Sequence, residues 1–133
     1  MPQNKVVFVN KSISDSREIF RQAGLSLKRD EKLVYFFDPP WGGLSYQSKQ
    51  QMVLDDFHPY PLREALTEAF RFTSSMILKL PKNMNIGVLL KDLQACYEKG
   101  CGKLCQLPIS ITLLKSQSFA KFYLVVTGNQ LVK

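Results

Sequence analysis

Residues 33–43 read Leu-Val-Tyr-Phe-Phe-Asp-Pro-Pro-Trp-Gly-Gly, and they constrain the fold more than any other stretch of the chain. A short aromatic and branched run stops at Asp38 and is followed at once by two prolines. Such a run reads as a buried strand over Leu33–Phe37. Pro39 and Pro40 can continue neither a ladder nor an ordinary helix, so the backbone leaves the sheet in a stiff, fixed shape. Asp38 and Trp41, the only tryptophan, are therefore expected at the carboxyl end of a strand, where open α/β sheets bind ligands.

The rest of the chain alternates between strand and helix signals. Val6–Val9 reads as a short strand. Asp15-Ser16-Arg17-Glu18 resembles a capping box, opening a short helix that Gly24 ends. Leu44–Tyr60 reads as a polar loop with room for one helical turn. Pro61 suits a first helical turn, after which Leu62, Ala65, Leu66, Ala69 and Phe70 share one face. Ser75–Leu80 reads as a strand. Asn85 can cap a helix carrying Leu89, Leu90, Leu93, Cys96 and Tyr97, with Gly100 as its stop. Ile109–Leu114 and Phe119–Val126 read as two strands joined tightly enough to be antiparallel. The order implies a single α/β domain over residues 1–133, with a mixed, mostly parallel sheet and a closing antiparallel hairpin.

The tip after Phe37 has a definite chemical capacity. A carboxylate and proline-fixed carbonyls accept hydrogen bonds from N–H groups, and a flat ring offers a stacking face worth ~1–3 kcal/mol per base. Together they suit a planar group bearing an amine. A Pro-rich turn with a core tryptophan is the bland alternative, and the attached Trp-Gly-Gly weighs against it.

Asp38-Pro39-Pro40-Trp41-Gly42-Gly43 resembles the catalytic motif of amino-group methyltransferases that use S-adenosylmethionine. The Trp-Gly-Gly continuation is similar to the RNA cap guanine-N2 methyltransferases, the trimethylguanosine synthases. Ile77-Leu78-Lys79-Leu80-Pro81-Lys82-Asn83 is similar to that family's strand ending in Leu-Pro-Arg-Asn, and the resemblance runs over residues 33–128. It implies a Rossmann-like methyltransferase fold and S-adenosylmethionine as cofactor. It also implies catalytic roles for Asp38, Pro39 and Pro40, with Asp38 and Pro39 facing the methyl donor. Trp41, Gly42, Gly43, Tyr46, Lys82 and Asn83 are implied substrate contacts, with Trp41 stacked on 7-methylguanine and Lys82 within reach of cap phosphates. The expected partner is capped RNA or a cap nucleotide.

The chain also departs from the family. The pattern Gly-Gly-Pro-Asp-Tyr is here Gly43-Leu44-Ser45-Tyr46, which keeps only the tyrosine. Only Gly24 precedes the motif, so no Gly-x-Gly loop is present to pack against the methionine end of the cofactor. The domain therefore reads as truncated at its N-terminus, with the substrate half of the site and little of the cofactor half. In the full fold other strands lie beside the motif strand. Here either Val6–Val9 takes that place through a right-handed crossover, or a second chain fills it. Two further readings stay open. One is an adenine-N6 methyltransferase, a class that also uses Asp-Pro-Pro-Trp. The other is a non-catalytic module that binds a cap or completes a partner's fold.

The remaining features exclude more than they assign. A formal charge of +7 suits anionic partners such as RNA. No apolar run reaches the ~18 residues of a membrane span, and the N-terminus has too short an apolar stretch for a signal peptide. Cys96, Cys101 and Cys105 lack a Cys-x-x-Cys pair and His58 is distant, so no metal is expected and the thiols read as reduced. An odd cysteine count without a signal peptide suits an intracellular compartment. His58 has no sequence partner to orient it as a base.

Overall fold

The computed structural model describes residues 15–39, 51–57, 61–117 and 119–132. The elements are α1 (Ser16–Ala23), β1 (Tyr35–Phe37), a 3-10 turn at Leu54–Asp56, α2 (Leu62–Phe70), β2 (Met76–Pro81), α3 (Ile86–Cys101), β3 (Ile109–Ser116) and β4 (Phe119–Thr127). The four strands form one sheet in the order β1-β2-β4-β3. β1 runs parallel to β2, with Phe37 opposite Leu78, and α2 lies within the crossover between them. β4 is antiparallel to both β2 and β3. The expected mixed sheet and closing hairpin are both present. The parallel share is smaller than expected, because β4 inserts between β2 and β3 and makes two of the three pairings antiparallel.

One face of the sheet carries the core. Phe37, Met76, Leu78, Leu80 and Val125 project to it, and α2 and α3 cover it with Leu62, Ala65, Leu66, Ala69, Phe70, Leu89, Leu93 and Cys96. The five apolar positions read on α2 are all buried. On α3 the pattern is looser, since Leu90 is 40% exposed. The stretch read as a polar loop contributes Met52, Leu54 and Phe57 to the core, all at most 2% exposed. Met52-Val53-Leu54 is too short an apolar run to mark an element, and two aspartates separate it from Phe57.

Three expectations change. Asp15 makes no side-chain capping bond. Glu18 instead binds Arg21 and Gln22, and the Ser16 hydroxyl donates to Glu68 at 2.8 Å. Gly24 does end α1, in the left-handed conformation. Gly100 does not stop α3, which continues to Cys101 and is capped by left-handed Gly102. Gly100 is small for another reason. A Cβ there would lie 2.3 Å from the Thr67 carbonyl oxygen and 2.9 Å from the Phe70 Cβ, so glycine lets α3 press against α2. Finally, the strand over Leu33–Phe37 is not buried throughout. Ordered pairing covers Tyr35–Phe37, and Phe36 is 63% exposed while Phe37 is 5% exposed. Alternation sends Phe36 to the sheet face opposite the helices.

Among the described residues β1 has a single sheet neighbour, β2. The expected strand at Val6–Val9 lies outside the described residues. Among those described, no helix is long and apolar enough to cross a membrane.

Candidate functional site

β1 and β2 are parallel, so their carboxyl ends lie at one edge of the sheet. Asp38 follows β1 there, one residue beyond the Phe37↔Leu78 pair. Lys82 and Asn83 follow β2 at the same edge. β4 begins there, with Phe122 opposite Pro81. The structure thus brings Asp38, Pro39, Lys82 and Asn83 to one edge. Pro40, Trp41, Gly42, Gly43 and Tyr46 lie outside the described residues, as does His58.

Burial alternates through the tip. Phe37 and Pro39 are buried, and Asp38 between them is exposed. The two buried neighbours fix the backbone, so the carboxylate is held outward rather than free to fold back. An exposed carboxylate keeps its acceptor lone pairs available to an N–H donor. Lys82 is exposed at the same edge and presents a point charge rather than a bidentate fork.

Asn83 works through its backbone. Its carbonyl accepts a hydrogen bond from the Met52 N–H at 2.7 Å, and the Asn85 N–H donates to the Met52 carbonyl at 2.9 Å. Met52 thereby makes an isolated parallel bridge with Met84. The Asn85 side chain has two further partners. Its Oδ1 accepts from the Val88 N–H at 3.2 Å, the expected cap of α3. Its Nδ2 donates to Gln51 Oε1 at 3.0 Å. The chain that departs from β1 after Pro39 is therefore pinned, where its description resumes at Gln51, to the carboxyl end of β2 and the start of α3.

Sequence reasoning missed this clamp. Asn85 carries a cap signal, and nothing in the spacing of Gln51 and Met52 points to partners at Asn83 and Asn85. It also missed the exposed Phe36, which an alternating reading of Tyr35-Phe36-Phe37 could have found.

Other polar groups lie on the helix-covered side of the sheet. Tyr35 packs toward Glu68 with its hydroxyl buried and unpartnered. Burial, reinforced by the nearby Glu68 charge, pushes the Tyr35 phenol up to about 12. The Arg63 guanidinium reaches Asp55 at 2.9 Å and Asp92 at 3.3 Å, tying the 3-10 turn to α2 and α3. Cys96 is buried, Cys101 half-buried and Cys105 exposed, all as free thiols. Burial pushes the Cys96 thiol up, away from the reactive thiolate. Among the described residues no three His, Cys, Asp or Glu side chains group as metal ligands.

Comparison with known proteins shows the family. The model of the RNA cap guanine-N2 methyltransferase family matches residues 3–130. A curated relative, the trimethylguanosine synthase of Schizosaccharomyces pombe, is 29% identical over 86 residues. That alignment covers 65% of this chain and 34% of the relative, so the chain matches about a third of the relative's length.

Proposed function

The chain belongs to the RNA cap guanine-N2 methyltransferase family, and from that premise we propose that its β1 tip presents the N2 amine of a 7-methylguanosine cap for methylation. The observation that carries this reading is the outward Asp38 carboxylate, held between buried Phe37 and Pro39 at the carboxyl end of a parallel strand. In this reading Asp38 and the backbone carbonyls at Pro39 and Pro40 accept hydrogen bonds from the exocyclic amine. That fixes the amine's orientation and keeps its lone pair on the nitrogen. Trp41 stacks on the base, with Gly42, Gly43 and Tyr46 completing the contact. Lys82 faces the phosphates. Catalysis on this chain's side is positioning and electrostatics, with no general base required.

S-adenosylmethionine, when bound, supplies an electrophilic methyl group on a sulfonium. Among the described residues Asp38 and Pro39 are the groups that would face it, and their acceptor oxygens suit a cationic donor. The Gly-rich loop that would hold the rest of such a cofactor has no counterpart in the sequence. The substrate side of the site is thus the part this chain's own residues account for. A second form of the reading, in which the cap is bound without transfer, follows from the absence of a Gly-x-Gly ahead of the Asp38 motif in residues 1–133.

The deciding experiment supplies S-adenosylmethionine with a labelled methyl group to the chain, together with either 7-methylguanosine-capped RNA or adenine-containing RNA. Label on guanine N2 supports the proposal. Cap binding without label supports the non-catalytic form. Label confined to adenine N6 would overturn both and favour an adenine methyltransferase.

A further inference from the structure

The end of α3 remote from the candidate site carries two thiols that the cap chemistry does not use. α3 runs from Ile86 to Cys101, so Cys101 lies about 24 Å from the Asn85 end. Left-handed Gly102 ends the helix and turns the chain. Gln94, two turns earlier on α3, then holds the returning segment. Its Nε2 donates to the Cys105 carbonyl at 2.7 Å, and its Oε1 accepts from the Leu107 N–H at 2.9 Å. Cys105 is thereby pinned beside the helix that the chain has just left.

Gln94, Tyr97 and Cys101 recur at intervals of three and four residues, so they share one face of α3. Cys105 is fastened to that same face through Gln94. The Tyr97 hydroxyl lies against the Cys101 sulfur, and Cys105 is near enough to act on the same hydroxyl electrostatically. Only Gly102, Lys103 and Leu104 separate the two cysteines, and all three are exposed. Cys96 stands apart from this group. It is buried against α2, with its Sγ 3.8 Å from the Arg63 carbonyl oxygen. Among the described residues no third ligand joins Cys101 and Cys105 to make a metal site. An exposed thiol beside a half-buried one is instead the arrangement in which an oxidised cysteine meets a resolving partner.

We propose that Cys105 and Cys101 form a peroxide-sensitive pair, with Cys105 as the attacking thiol and Cys101 as the resolving one. The Cys105 sulfur, as thiolate, attacks one oxygen of hydrogen peroxide. An S–O bond forms, the O–O bond breaks, and the departing hydroxide takes up a proton and leaves as water. The Cys101 sulfur then attacks the Cys105 sulfenic sulfur. The S–S bond forms, the S–O bond breaks, and a second water leaves. Two thiols thus lose two hydrogens and two electrons, and one peroxide becomes two waters. A thiol reductant reverses the bridge. The closed pair staples the end of α3 to the connection that leads into β3. It does not depend on the cap reading.

The test treats the reduced full chain with hydrogen peroxide, alkylates the remaining thiols and digests with trypsin. Cleavage after Lys91, Lys99, Lys103 and Lys115 puts the three cysteines on three peptides. The expected product joins residues 100–103 to residues 104–115 through sulfur, with Cys96 alkylated, and dithiothreitol restores all three thiols. Cys101→Ser should stop at a Cys105 sulfenic acid that dimedone traps. Gln94→Ala, with folding verified by circular dichroism, should slow bridge formation about ten-fold as the pair loses its fixed geometry. It should leave sulfenic acid formation unchanged in the Cys101→Ser background. A bridge that includes Cys96, a bridge between two chains, or sulfinic acid at Cys105 with Cys101 still alkylated would each overturn the pair. So would equal bridging rates in wild type and Gln94→Ala, or no reaction under conditions that oxidise free cysteine.

Discussion

Asn85 and Gln51, thirty-four residues apart, are joined by a 3.0 Å hydrogen bond from the Asn85 side-chain amide to the Gln51 side-chain carbonyl. The same Asn85 side chain caps α3 through Val88. One residue thus ties the start of a core helix to the point where the chain returns after the Asp38–Gly43 tip. Gln51→Leu removes the tie and leaves the cap. Its stability should change by less than about 1 kcal/mol, the net worth of one exposed hydrogen bond. Asn85→Ala removes both and should cost about 1–2 kcal/mol. Urea denaturation of the two variants separates these effects, and a larger loss in Gln51→Leu would contradict the assignment.

At Gly100 two opposing effects differ in size. Gly100→Ala gains up to about 1 kcal/mol of helix propensity. Against this, the new methyl meets backbone oxygen at 2.3 Å, and α2 and α3 must move apart. Overpacking of this kind costs about 1–3 kcal/mol, so the variant should be less stable than wild type by thermal or urea unfolding. A stabilised variant would show that the two helices are not held at this distance.

Tyr35 makes stability depend on alkaline pH. Its phenol sits near 10 in an unfolded chain and is pushed up to about 12 in the fold. Between those values the folded state holds a proton that the unfolded state has released. Its contribution is therefore complete below about pH 10 and is lost as pH rises toward about 12. Tyr35→Phe should remove this part of the alkaline slope. Because the hydroxyl is buried and unpartnered, the variant should be no less stable than wild type at pH 7, within about 0.5 kcal/mol. Denaturation midpoints of both proteins across pH 8–12 provide the measurement, and identical slopes would contradict it.

Arg63 joins three segments through Asp55 and Asp92. Arg63→Ala should cost about 1 kcal/mol at low salt, and the difference from wild type should shrink in 1 M salt as screening weakens both pairs. A difference unaffected by salt would assign the loss to packing.

The sequence made the local chemistry legible wherever one residue decides the outcome. β1 ends at Phe37, two residues before Pro39; Asn85 caps α3; and the spacing of Leu62, Ala65, Leu66, Ala69 and Phe70 marks the buried face of α2. It was less legible where the outcome depends on distant neighbours. Gly100 looks like a helix stop until Thr67 is seen against it. Met52, Leu54 and Phe57 look like loop residues until the sheet edge beside them is known. Phe36 looks buried because a run of apolar residues does not say which sheet face is covered. At the candidate site, the sequence pattern pointed to Asp38 and its motif, whereas the clamp at Met52, Asn83 and Asn85 depends on backbone contacts with no residue signature.

The central claim is that Asp38 recognises the N2 amine of a 7-methylguanosine cap. Calorimetric titration with a 7-methylguanosine cap dinucleotide and with its 7-methylinosine counterpart, which lacks only that amine, tests it directly. Wild type should bind the guanosine form more tightly, by about ten-fold for a charge-assisted hydrogen bond, and Asp38→Ala should bind the two forms alike. Equal affinity of wild type for both forms, or a preference that survives in Asp38→Ala, would contradict the account.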